Sequence, residues 1–177
     1  MPPLPTTAFA TTFVMFTISA CAVPDADAVV KAQPRPPLHD DFLDHLTGDW
    51  QLTRSIRGTT THDEVSARWI LGHQFVRLHM IDVQRPPAYE AMVLIGHDQE
   101  HAQYVAHWCD SFGGGYSGIG RGVRRGNAIE FRFDYADGPF FNTFTWDPAT
   151  GTWSCRLENG LADGTRKPFA EDRLVRR

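Results

Sequence analysis

Positive charge is short in this chain: 17 lysines and arginines stand against 21 aspartates and glutamates, a formal net charge of -4. A protein that grips phosphates needs a basic face, so no nucleic-acid partner is expected. Arg121, Arg124 and Arg125 form a small basic cluster, which reads as a solvated strand face. Cysteine is scarce too, three in 177 residues, which leaves no disulfide framework to decipher. Cys109 and Cys155 are expected to be buried free thiols. No apolar run reaches the roughly 20 residues that a membrane-spanning helix takes. No Ser-His-Asp or Cys-His-Asn order is legible either, so no nucleophilic triad can be named.

What is present begins with Phe9 to Ala20, FATTFVMFTISA, an uncharged apolar run of signal-peptide length with no lysine or arginine before it. It ends Ile18-Ser19-Ala20-Cys21, which resembles the bacterial lipobox. That resemblance implies a diacylglycerol thioether on Cys21 and removal of residues 1–20, placing the protein in the cell envelope on the periplasmic side. Two acyl chains anchor stably where one does so marginally. Ala20-Cys21-Ala22 also fits an ordinary signal-peptidase site, the alternative being a soluble periplasmic or secreted protein. Residues 21–37, rich in Pro, Ala and Asp, have no apolar periodicity and read as a tether.

Residues 38–177 form one domain by length. Leu38, Phe42, Leu43 and Leu46 have the spacing of a short amphipathic helix, with Gly48 as its stop. The period then drops to two. Trp50-Leu52, Val65-Ala67-Trp69, Val76-Leu78-Met80, Ile129-Phe131-Phe133 and Trp153-Cys155-Leu157 each alternate with polar neighbours. Turn signals such as Arg57-Gly58, Gly126-Asn127 and Asp163-Gly164 separate the runs. The reading is an all-β, up-and-down lipocalin-like barrel of roughly ten antiparallel strands, with Phe42 and Leu46 covering one open end. Closure hides the apolar face and removes edge strands.

Gly48-Asp49-Trp50 resembles the G-x-W signature of lipocalin-type barrels. Trp69-Ile70-Leu71-Gly72, Phe75-Val76, Ile95-Gly96-His97-Asp98, Tyr104-Val105 and Trp108-Cys109-Asp110-Ser111 together resemble the bacterial DUF1579 family, departing from it at His97, where the family usually has Tyr. The resemblance spans most of residues 46–177 and implies a lipocalin-like barrel without supplying a mechanism. By analogy with lipocalins, Arg173 is expected to stack on Trp50. Nitrobindin barrels, a looser likeness, bind haem through a histidine near the C-terminus. No histidine follows His107 here, so only His79, His107, Tyr104 or Met80 remain for a haem-binding alternative.

Two motifs are set aside on context. His97-Asp98-Gln99-Glu100-His101 matches a zinc-peptidase pattern that works only on a helix, whereas here it joins two strands, so no metal site is assigned. Gly113 to Gly118 matches G-x-G-x-x-G, but the residues that follow are strand-like, so no dinucleotide cofactor is assigned. Tyr104, Trp108 and Asp110 share one face of their strand, His107 and Cys109 the other, and periodicity does not say which faces the lumen. The reading is a barrel that binds a small, mainly apolar molecule, with Trp69, Tyr104, Trp108, Phe131 and Trp146 as wall and His107 or Asp110 orienting the ligand. Alternatives are an enzyme using His107 or Asp110 as general base, and an envelope scaffold with a filled barrel. Substitution of Cys21 by Ala is expected to release the protein from membranes and to remove the lipid mass. Membrane retention of the variant on fractionation contradicts the anchor.

Overall fold

A computed structural model describes residues 35–177; the stretch expected to be a signal peptide, Cys21 and most of the expected tether lie outside the described residues. Helix α1 (Asp41–Leu46) leads into ten strands: β1 (Gly48–Ile56), β2 (Thr59–Ile70), β3 (Phe75–Asp82), β4 (Glu90–Asp98), β5 (Gln103–Asp110), β6 (Gly118–Arg125), β7 (Ala128–Tyr135), β8 (Gly138–Asp147), β9 (Thr152–Gly160) and β10 (Arg166–Arg176). Each strand pairs antiparallel with the next, and β10 returns to β1 to close the barrel. This is the up-and-down topology that the short connections demanded. The β1–β2 turn shows how: Arg57 and Gly58 both take positive φ, the I′ geometry whose twist matches flanking strands.

Helix α1 is the plug of one end. Asp40 caps it, its side chain accepting from the Leu43 amide at 2.9 Å. Phe42, Leu43 and Leu46 are buried in the barrel. The last carbonyls of so short a helix have no partners within it. Two buried indoles supply them: Trp50 Nε1 donates to Leu46 O at 2.8 Å and Trp153 Nε1 to His45 O at 3.3 Å. Trp50 is also covered by a guanidinium, but it belongs to Arg176, whose carbon lies 4.4 Å from the ring centre. Arg173 does not do this, and the pairing explains why. Trp50 faces Arg176 across β1 and β10, whereas Arg173 is an odd number of residues away and projects from the outer wall.

The inner face of β6 has no side chains along Gly118, Gly120 and Gly122. At two of them the space is taken by side chains from β7: a Cβ on Gly120 would meet the Phe133 ring at 2.6 Å, and one on Gly118 the Tyr135 hydroxyl at 2.8 Å and its ring at 2.9 Å; at Gly122 it would meet the Glu130 backbone carbonyl. Gly118, Gly120 and Gly122 thus form a groove, while the Gly113–Gly118 stretch is a loop with a 3-10 turn at Gly114–Tyr116 that runs into strand β6 and not into a helix. The hairpin between β4 and β5 likewise holds the zinc-like motif, with Asp98 accepting from the Glu100 and His101 amides. The cysteines divide: Cys155 is buried in the lumen wall, but Cys109 is exposed on the outer face, contrary to the expectation of two buried thiols. Gly120→Ala is expected to cost about 1–3 kcal/mol in urea unfolding, as over-packing does. Gly115→Ala, with open space around it, serves as the neutral control.

Candidate functional site

The alternation of burial along β5 assigns its faces. Tyr104 and Ala106 are buried while Cys109 is exposed, so Tyr104, Trp108 and Asp110 face the lumen and His107 faces out. His107 sits edge-on to Phe75 of the outer wall, ring centres 6.1 Å apart, and cannot orient a lumenal ligand or act as a base on one. His79 also points outward, with Nε2 2.6 Å from Glu90 Oε1. Neither histidine weighed for haem therefore reaches the lumen.

The remaining residues expected to line the wall do not form one pocket. Three gather at the helix end and fasten the plug. Tyr104 donates its hydroxyl to Asp40 Oδ2 at 2.5 Å, and burial with that bond pushes its phenol well up. Trp69 donates to Asp44 Oδ1 at 2.8 Å and stacks on His73. Trp146 stacks on His45 with centres 4.8 Å apart. Phe131 is fully buried in mid-barrel, edge-on to Phe144. Only Trp108 and Asp110 reach the far end.

That far end holds a buried polar cluster. Arg54 makes a two-pronged ion pair with Asp172, both contacts 2.7 Å. Burial alone would lower the guanidinium pKa, but the Asp172 carboxylate more than reverses this and holds the charge in place. Asp63 Oδ2 lies 3.9 Å from the same guanidinium, too far for a hydrogen bond. Tyr89 lies beneath it, the Arg54 carbon 5.4 Å from its ring centre, and its hydroxyl is 3.5 Å from Asp110 Oδ2. Burial pushes the Tyr89 phenol up to about 12, so it stays protonated. Asp82 completes the group, its carboxylate accepting from the Gln84 and Ala88 amides.

Two acceptors in this lumen are left without donors. Asp63 Oδ2 and Asn142 Oδ1 are buried with no hydrogen-bond partner among the described residues, each residue only 2 % exposed. Asn142 pairs with Phe131 and Leu157, both lumenal, so it projects inward from β8. Orphan buried acceptors are costly, and such atoms mark either strain or a missing partner. Burial pushes the Asp63 carboxyl above its usual 3.8; Arg54 pulls it back, while Asp172 and Asp82 push it further up.

The connection between β5 and β6 lies at this end. The loop between β5 and β6, with a 3-10 turn at Gly114–Tyr116, lays Phe112 5.7 Å from Tyr89 and receives the Tyr135 hydroxyl at the Tyr116 carbonyl, 3.3 Å away. Phe112 and Tyr116 are nonetheless 67 % and 65 % exposed. Two depressions, of about 270 and 610 Å3, open on the outside of the barrel, the smaller beside His79 and Cys109 and the larger over Thr53, Thr143, Ser154 and Arg156.

Sequence reasoning missed Arg54, Asp63, Tyr89 and Asp172. A signal for three of them existed. Arg54 falls in phase between Leu52 and Ile56, Asp63 in phase with Val65, and Asp172 in phase with Leu174, so each is a charge on an apolar face.

No protein-family model matches the chain, and no curated protein matches it. Among solved structures it is similar to the crystal structure of Rv2717c from M. tuberculosis, at 13 % identity and a TM-score of 0.56, over 78 % of this chain and 98 % of that one. At that identity the likeness shows the fold alone: a closed, ten-stranded antiparallel β-barrel.

Because the native state holds the Asp63 proton to higher pH than the unfolded chain does, Asp63 removes stability as pH rises from 3.8 through its raised value. Asp63→Asn is therefore expected to raise the Tm near neutral pH. The gain should shrink as pH falls towards 3.8, as read by thermal unfolding across pH.

Proposed function

We propose that this protein is a small-molecule-binding barrel whose ligand sits in the lumen at the end opposite helix α1. The ligand would lie above the Arg54–Asp172 pair and below Phe112. One observation carries the reading: two acceptors buried in the lumen, Asp63 Oδ2 and Asn142 Oδ1, have no partner among the described residues. A bound molecule with donor groups satisfies them, and aromatic walls from Trp108 and Phe133 contact the rest of it. The apolar half near the helix is filled by Trp50, Trp153, Phe42 and Phe131, so the ligand is confined to the far half. Entry takes a movement of the loop between β5 and β6, which few contacts hold.

Assignment to the DUF1579 family belongs to the same proposal and rests on the tryptophan, glycine and aspartate pattern from Trp69 to Ser111. So does an envelope location through Cys21. Asp110, which faces the lumen beside Tyr89, is the residue on which an enzymatic alternative would turn.

Native mass spectrometry of the purified chain is the test. A discrete added mass, lost in Trp108→Ala, is the expected result. A bare mass, together with no thermal shift from a panel of small molecules, supports instead a filled barrel with a scaffolding role.

A further inference from the structure

The polar half of the lumen carries the wrong charge for an anion. Asp82 and Asp172 act on Asp63 there, and Asp110 joins them through Tyr89, which feels both Asp110 and Asp63. Arg54 is the one cation among the described residues whose guanidinium is buried with them, and Asp172 already holds both its prongs. The rim cations are engaged elsewhere: Arg57 lies over the Phe169 ring, and Arg85 donates to the carbonyls of Asp82 and Gln84. A carboxylate or phosphate entering here would meet spent donors and the unpartnered Asp63 carboxylate oxygen. Of the three buried polar atoms without a partner among the described residues, Arg77 Nε lies on the outer phase of β3; the two in the lumen, Asp63 Oδ2 and Asn142 Oδ1, are acceptors on walls four strands apart around the barrel. Asn142 carries no charge and its amide can turn to present either atom, so it marks an unpartnered polar point on the lumen wall independently of the acidic group.

A cation also has a face to lie on. Trp108, Phe133, Tyr135 and Phe140 follow one another around the same end with ring centres 6.1 to 6.4 Å apart, Trp108 edge-on to Phe133, Phe133 parallel to Tyr135 and Tyr135 edge-on to Phe140. Aromatic faces attract ammonium groups, most strongly where water is excluded. Among the described residues no three metal-ligating side chains converge, so the arrangement suits an organic cation better than a bare metal ion.

We propose, on the reading that the lumen binds a ligand, that this ligand is an organic ammonium compound with an apolar body. Its N–H groups donate to Asp63 Oδ2, Asn142 Oδ1 accepts from a donor elsewhere on the same molecule, and its body packs on Trp108 and Phe133. The notion of a mainly apolar ligand is thereby sharpened: the body is apolar, but the selecting group is a positive donor. A charge-assisted contact of this kind is about twice as strong as a neutral one.

The test uses three probes with one skeleton, 4-phenylbutylamine, 4-phenylbutanol and 4-phenylbutyrate, titrated calorimetrically into the full chain and into Asp63→Asn. The amine is expected to bind about tenfold or more tightly than either of the others, about 1.4 kcal/mol. Asp63→Asn should erase that preference while leaving the alcohol unchanged. The substitution is isosteric, and Asp110→Asn, with Asp110 beside Tyr89, provides a second loss of negative charge should the first variant misfold. Binding of the butyrate as tightly as the amine overturns the ammonium assignment and leaves the lumenal site standing. Amine binding that neither variant weakens overturns the assignment by placing the amine outside the lumen. Failure of all three probes to bind at millimolar concentration overturns both.

Discussion

The capping of a two-turn helix by two tryptophans is the constraint on which this barrel depends. A helix of six residues cannot satisfy its own terminal carbonyls: here that of Leu46 is buried against Trp50, and that of His45 accepts from both Trp153 and Arg176. Trp50 and Trp153 are placed by β1 and β9 so that their indoles donate upward while their rings fill the floor of the plug. Phe42 meets Trp153 edge-on, ring centres 4.8 Å apart, and Arg176 closes over Trp50. The first strand, the last strand and the helix are thus locked through one pair of indoles. This also explains why Trp69, Tyr104 and Trp146 fasten the helix instead of lining a ligand site.

Filling one end so thoroughly sets the character of the other. The glycine-lined inner face of β6 lets the β7 rings lie flat against the wall, which keeps aromatic surface on the barrel without consuming the far lumen with β6 side chains. Into that half project charges that a purely structural core would replace with apolar residues. Arg54 and Asp172 offset much of each other's desolvation through two short bonds. The lumen is therefore asymmetric along its axis, dry and packed beneath the helix, polar and aromatic beneath the loops.

Much of this was legible in the sequence, and the limits were physical. Strands, their order and the helix plug follow from a period of two after Gly48 and from turn residues at short spacing. The sequence around β5 could not reveal its inward face, because Tyr104, Trp108 and Asp110 on one side and His107 and Cys109 on the other are equally mixed; only burial across the pairing resolves them. Register decided the rest. Arg173 and Arg176 are both plausible partners for Trp50 by distance from the chain's end, yet a three-residue difference flips the face. The polar cluster was hidden for another reason: in-phase charges such as Arg54 read as interruptions of an apolar stripe, when their phase was the information.

Asp63 is where stability and function separate. Removing its charge relieves a carboxyl that burial and two acidic neighbours disfavour, and nothing in the packing requires an acid at that position. If the barrel existed only to be a barrel, an amide or a leucine would serve better there, next to Val65 on the same face of β2. Marginal stability tolerates such a cost, but the particular form of the cost is informative. The atom left unsatisfied is an acceptor, it is sealed from water, and it lies beside a guanidinium already committed to Asp172. Apart from protonation, strain of that kind is released by a positively charged or donating partner, which makes the residue that weakens the empty barrel the one that would discriminate among its occupants.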